Sequence, residues 1–185
     1  MALASMSRLP GDKITLELMS SSSGGPETHA LAEKCGPGEC DFFLSHSWHD
    51  DPVQKFAAIE KVIAEFKRKH GRVPSFWLDK VCIDQSKITE TLRALPIFLV
   101  SCQGMLIVAG PTYVHRLWCI WEVHMLFVCS GGVKPVLEVE SIDGQSDSDP
   151  CLAEKIATFA LDEACCYDPN EERRLRAAIA AAPGG

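Results

Sequence analysis

The residues of this chain best suited to chemistry are an acid and two indoles. Glu122 lies four residues after Trp118, so both project from one face of a helix that contains them, with Met125 and Cys129 continuing the stripe. An acid beside an indole at the rim of a fold suits a small-molecule site, with the carboxylate as a polar anchor and the indole as a stacking face. Trp48 offers a second aromatic face in the run Ser45-His46-Ser47-Trp48, and Asp79-Lys80 places a second acid beside a base. His115 and Cys119 are also four apart, the spacing of an activated thiolate, although no third residue stands out to orient the pair.

These groups need elements to hold them, and the pattern supplies an alternation of strands and helices. Asp41 to His46 is a short apolar run that predicts a strand, and Asp50-Asp51-Pro52 then caps a helix. Val53, Phe56, Ile59, Val62, Ile63 and Phe66 recur at helical spacing, so the helix is expected over Val53 to His70, with Gly71 as terminator. Phe76-Trp77-Leu78 predicts a second strand ending at Asp79. A loop from Lys80 to Ser86 follows, then a helix from Ile88 to about Val100 that Pro96 should bend or restart. Met105 to Ala109 is continuous and apolar, as expected of a strand buried on both faces. A helix from about Arg116 to Cys129 follows, stopped by Gly131-Gly132, then a strand over Val133 to Val139 and a polar loop over Asp143 to Asp149. Two final helices are expected, Cys151 to Ala164 and Asn170 to Ala180.

Strands alternating with helices imply an α/β fold, and the flavodoxin-like class fits best: three layers, a central parallel sheet of four to five strands, helices on both faces. In such sheets ligands collect at the carboxyl ends of the strands. Here those ends present Ser45 to Trp48, Asp79-Lys80 and Gly110-Pro111-Thr112 on one rim. Before Cys40 the composition is that of a linker, with Ser20 to Gly25 reading SSSSGG, and only Ile14 to Leu18 alternates like a short strand. The expected organisation is a flexible segment over residues 1–39 and one domain over residues 40–181.

Composition narrows the function classes. With 18 basic against 25 acidic residues and a net charge of -7, the chain lacks the positive field that binding a nucleic-acid backbone requires. The most apolar stretch, Leu95 to Gly110, is broken by Ser101, Cys102 and Gln103 and falls short of the roughly 20 residues of a membrane helix. Met1 to Lys13 has neither a signal-peptide core nor an arginine-rich import pattern, so a cytoplasmic location is expected. Nine cysteines, an odd count scattered through apolar runs, read as reduced core residues, and no spacing assembles four metal ligands. No prosthetic group is expected.

Several runs resemble the Toll/interleukin receptor (TIR) family. Phe42-Phe43-Leu44-Ser45-His46-Ser47 is similar to its opening strand, and Trp77-Leu78-Asp79-Lys80 to its second strand entering the BB loop. Trp118-Cys119-Ile120-Trp121-Glu122-Val123, with Tyr113 ahead of it, resembles the plant-type helix motif. The resemblance spans roughly Asp41 to Val139. It implies either a scaffold that assembles with copies of itself or with other TIR domains, in signalling or defence, or an enzyme that cleaves NAD⁺ and releases nicotinamide. In the enzymes the glutamate of this helix is catalytic, which points to Glu122. The same resemblance gives substrate-binding roles to Trp118 and to His46, Ser47 and Trp48. Asp79 is placed in the pocket with them, and NAD⁺ is substrate rather than cofactor. It also implies that a neighbouring copy completes the pocket. Two departures stand out: Gly110 replaces a serine common in plant relatives, and Val81 to Lys87 lacks the glycine usual near the BB-loop tip.

Plainer readings stay open at this point. Glu122 equally suits a solvated helix surface, Trp48 and Trp118 suit a core, His46 suits a satisfied strand end, and Asp79 suits a turn cap. A nucleotide or phosphate binder of the same fold class is disfavoured because no Gly-rich phosphate loop follows any strand.

Overall fold

The computed structural model describes residues 6–20, 25–83, 94–131, 135–142, 155 and 158–181. In chain order these form β1 (Met6–Pro10), α1 (Leu16–Ser20), α2 (Pro26–His29), β2 (Glu33–Cys35), β3 (Cys40–His46), α3 (Pro52–His70), β4 (Ser75–Trp77) and α4 (Asp79–Cys82). Then come α5 (Leu95–Ser101), β5 (Cys102–Ala109), α6 (Leu117–Cys129), β6 (Leu137–Ser141) and α7 (Pro169–Ala181). The fold is α/β, built on one six-stranded sheet in the order β2-β1-β4-β3-β5-β6. Strands β4, β3, β5 and β6 are parallel, whereas β1 runs antiparallel to both β4 and β2.

Six strands replace the expected four to five, and the two additions come from the segment read as a linker. Leu9 of β1 is fully buried opposite Phe76, and Gly11 donates its amide to the Pro74 carbonyl so closely that a Cβ there would meet that oxygen at 2.8 Å. Residues 14–18 do not form a strand. Strand alternation would bury Leu16, which is 40% exposed, whereas Ile14, Leu18 and Met19 are buried, the spacing of a helix face. Within the described part of residues 1–39 the chain therefore contributes strands and core side chains, although its Ser, Gly and Pro content has the signature of flexibility.

Local chemistry accounts for α3. Asp51 accepts the Gln54 amide at 2.8 Å, Pro52 opens the first turn, basic Lys67 to His70 close the last, and Gly71 takes the left-handed conformation at φ 72°. Ala58, Ile59 and Val62 face the sheet, but Val53 is 58% exposed and the buried stripe begins instead at Lys55. Helices cover both faces. On one, Phe42 meets Phe66 of α3 edge to face, and α1 lies against α3. On the other, Phe43 stacks on Trp77 with centroids 4.7 Å apart and Trp77 on Phe98 of α5, while α6 packs beside α5 and carries α7.

Two further expectations change, and Pro96 stands at a helix start. Asp79 to Cys82 is a helical turn rather than loop. Pro96 lies in the first turn of α5, where its missing N–H costs nothing; the expected start of that helix at 88–93 lies outside the described residues. Leu161–Glu163 is a single 3₁₀ turn rather than the end of an α-helix, because Arg176 draws the Leu161, Asp162 and Ala164 carbonyls towards itself. The rest of that helix, apart from residue 155, and the loop at 143–149 lie outside the described residues, as does the start of the strand expected at 133; β6 begins at Leu137. Among the described residues the cysteines are free, and no helix is long and apolar enough to cross a membrane.

Candidate functional site

Strand β3 ends in Ser45-His46, and the loop that follows is held from both sides. The ammonium of Lys55, fully buried, donates to the Ser47 carbonyl at 3.0 Å and the Trp48 carbonyl at 3.5 Å. Buried Asp50 accepts from the Gly110 and Thr112 amides and from the Thr112 hydroxyl at 2.8–3.1 Å. A Cβ at Gly110 would land inside the Asp50 carboxylate. The absence of a side chain at position 110 is thus what lets Asp50 bridge the loop to the end of β5. Thr112 gives its proton to Asp50, so the Ser47 hydroxyl donates to Thr112 at 2.6 Å and accepts the His49 amide. Ser47, expected among the binding residues, is buried in this bracing and is not among the residues that line the cleft.

The bracing presents Trp48, 38% exposed, with the Lys80 ammonium 5.7 Å above its ring. Lys80 itself is buried and bonds the Leu18 carbonyl at 2.6 Å, tying α1 to the start of α4. Asp79 accepts the Lys80 amide at 2.6 Å, a local turn contact, and also faces the cleft. Burial raises its carboxyl above the usual range, while the Lys80 amide, the Lys80 charge and the Trp48 indole N–H pull the other way. His46 is pushed down to about 3, first by burial and then by the charges of Lys55 and Lys80. Its imidazole is neutral at any physiological pH, a hydrogen-bonding group rather than an acid.

From the opposite wall α6 contributes Trp118 and Glu122. The Trp118 indole donates to Glu171 of α7 at 3.3 Å and meets Trp121 edge to face at 5.8 Å. Glu122 accepts the Ser45 hydroxyl at 2.6 Å, and Ser45 lies 2.7 Å from the Tyr113 hydroxyl. With Ser45 giving its proton to ionised Glu122, Tyr113 donates to Ser45, and the three form a chain that starts at buried Tyr113 and ends on the carboxylate. Burial raises Glu122 to about 8; the Ser45 bond opposes this and the Asp79 charge adds to it. Cys119 is held as a thiol, pushed well above its ordinary range by burial and then by Glu122, and it donates to the His46 carbonyl. The thiolate reading has no support in this arrangement.

The result is a cleft of about 220 Å³ lined by His46, Trp48, Asp79, Leu95, Arg116, Trp118, Cys119, Glu122, Tyr167 and Glu171. Five of the six sequence candidates, all but Ser47, meet there. Sequence reasoning missed Ser45 and Tyr113, whose signal was a polar pair inside otherwise apolar motifs. It also missed Arg116, Tyr167 and Glu171. The last two have no local signal, since the backbone brings them in: the Leu117 amide bonds the Cys165 carbonyl and the Cys165 amide bonds the His115 carbonyl. Chemically, the site sets a carboxylate in the same cleft as two indoles. Among the described residues no group of three or more His, Cys, Asp or Glu side chains is placed to hold a metal ion. No protein-family model matches the chain, and no curated protein matches it.

Proposed function

We propose that this chain is a TIR-type domain of flavodoxin-like fold that cleaves NAD⁺ and releases nicotinamide, with Glu122 as the catalytic residue. The observation that carries the reading is the Glu122 carboxylate, held by Ser45 at 2.6 Å in a cleft that also gathers His46, Trp48, Asp79 and Trp118. The parallel strands run β4-β3-β5-β6, the neighbour order of a flavodoxin-like sheet. The cleft opens at the carboxyl end of β3, beside the point where the strand order reverses, the usual ligand position in such sheets.

In the proposed reaction the bond between the ribose anomeric carbon and the ring nitrogen breaks, its electron pair goes to the ring, and nicotinamide leaves neutral. No strong general acid is needed. The ribosyl cation left behind is stabilised by ionised Glu122, which also accepts a ribose hydroxyl, and water or a nucleophile within the substrate then bonds to the anomeric carbon. A carboxyl titrating near 8 loses its proton more readily when a cationic nicotinamide ring enters beside it, so substrate binding and activation of Glu122 are coupled. The 220 Å³ cleft is smaller than the roughly 300–1,000 Å³ typical of ligand sites. The adenylate half of the dinucleotide therefore extends past its mouth, where a second copy or another TIR domain completes the enclosure.

The test is nicotinamide release from NAD⁺ by the protein at high concentration, beside Glu122→Ala and Glu122→Gln variants with unchanged circular dichroism. Turnover lost in both supports the reading. No turnover in the wild type, even when a fused oligomerising domain forces assembly, favours a non-catalytic TIR interaction module instead.

A further inference from the structure

Arg116 lines the cleft from the start of α6. Its backbone is fixed on every side: its amide bonds the Tyr113 carbonyl, its carbonyl accepts the Ile120 amide, and residue 116 bridges Cys165 between the Leu117 and Cys165 hydrogen bonds. It stands at the N-cap of α6 with an extended backbone, φ -100° and ψ 111°. The side chain so positioned makes no hydrogen bond or ion pair among the described residues, although carboxylates share the cleft with it. Glu171 of α7, which shares the cleft, is engaged by the Trp118 indole. Two other arginines are paired: Arg72 clasps Asp41, and Arg176 holds Glu172 and three carbonyls.

Among the lining residues Arg116 carries the one permanent positive charge, since the imidazole of His46 is neutral. A half-enclosed guanidinium without a protein partner presents a planar fork of donors matched to a phosphate. Arg116 precedes Glu122 by six residues, about 9 Å along the helix axis. Allowing for the reach of both side chains, that is the scale of a ribose ring with its 5′ phosphoester. The cleft thus holds Arg116 at the start of α6 and Glu122 six residues further along it.

Building on the NAD⁺ reading above, we infer that Arg116 binds the phosphate next to the nicotinamide ribose, so that the cleft selects phosphate-bearing pyridine nucleotides over the phosphate-free riboside. The residue binds substrate and takes no part in bond cleavage.

Three readouts on wild type, Arg116→Met and Arg116→Lys test this. The first is kcat/KM for NAD⁺, the second the inhibition constant of nicotinamide riboside competing with NAD⁺, and the third calorimetric binding of inorganic pyrophosphate. Arg116→Met is expected to lower kcat/KM for NAD⁺ by about 10- to 100-fold, mostly through KM. It should leave the riboside constant within about twofold and abolish pyrophosphate binding, with Arg116→Lys in between because it keeps charge but loses the fork. Equal losses for NAD⁺ and riboside would make Arg116 structural, and an unchanged kcat/KM for NAD⁺ would remove it from the site while leaving the cleavage reading intact. Pyrophosphate binding that depends on Arg116 in a protein that releases no nicotinamide would keep the phosphate site and sink the cleavage instead. Absence of both activities overturns the two together.

Discussion

Two carboxylates mark the two ends of β3, and their surroundings are opposite. At its start, buried Asp41 receives two bonds from the Arg72 guanidinium at 2.6 and 2.8 Å and two more from the Ser75 amide and hydroxyl at 2.8 and 2.9 Å. Burial alone would raise its carboxyl, but Arg72 and Ser75 outweigh it and hold it below the usual range. At the far end, Glu122 has one donor among the described residues, Ser45, and burial carries it up to about 8. The fold surrounds with donors the charge that must be permanent, where it joins β3 to β4. It leaves the Glu122 carboxyl in the cleft with a single donor among the described residues.

The sharpest way to break this contrast is to neutralise each acid in turn. Glu122→Gln is expected to cut nicotinamide release by about a thousandfold or more while the protein stays folded. Asp41→Asn should do the reverse, costing about 2 kcal/mol in urea denaturation with kcat/KM within about twofold. A catalytic loss in Asp41→Asn without a loss of stability would show that the two ends are not separate in role.

Next in size is the hydrogen bond that partly restrains Glu122. In the proposed reaction the ionised form is the active one, so kcat/KM should rise with pH towards a plateau above about 8. Because the Ser45 hydroxyl lowers the Glu122 carboxyl, Ser45→Ala should move that rise to higher pH. The expected reduction at neutral pH is about tenfold, one pKa unit. An unmoved profile would mean the rise belongs to another group.

The smallest effect is on stability, and its sign differs between the two acids. Glu122 binds its proton more tightly folded than unfolded, so its ionisation lowers stability as pH rises from the ordinary value of 4.5 to about 8. Asp41 is shifted the other way: its contribution is present above 3.8 and disappears as pH falls through its lowered folded value. Above pH about 8, Glu122→Gln should therefore melt higher than wild type by about 2–4 °C, the response of a domain this size to roughly 1 kcal/mol. A scanning-calorimetry series across pH that shows no difference would place the Glu122 carboxyl in open water.

Much of the site was legible because its parts sit on elements with strong local signals. Trp118 and Glu122 lie on a helix whose apolar residues and spacing announce it, and His46, Trp48 and Asp79 follow runs that end in polar residues. Ser45 and Ser47 show where that reading stops. Two residues apart, they would share one face of a continuous strand, but β3 ends at His46 and the chain turns. Ser45 then meets Glu122, while Ser47 meets Thr112. Which serine serves the cleft depends on where the strand ends, and that is settled by Lys55 and Asp50 drawing the loop back, not by the serines themselves.

By itself, the sequence determined what short-range physics controls: the cap and terminator of α3, the doubly buried β5, the helical phase that puts Trp118 over Glu122, and the alternation that makes the fold α/β. Only the tertiary structure decided the long-range pairings. Met6–Pro10 became a strand because the edge of β4 was open to it. Lys55 and Lys80 are buried because loop and helix-end carbonyls were waiting for them. Tyr167 and Glu171 reached the cleft because Cys165 bridges residue 116. Hydrogen bonds and burial between residues far apart in the chain have no local period, so no pattern along the sequence carries them.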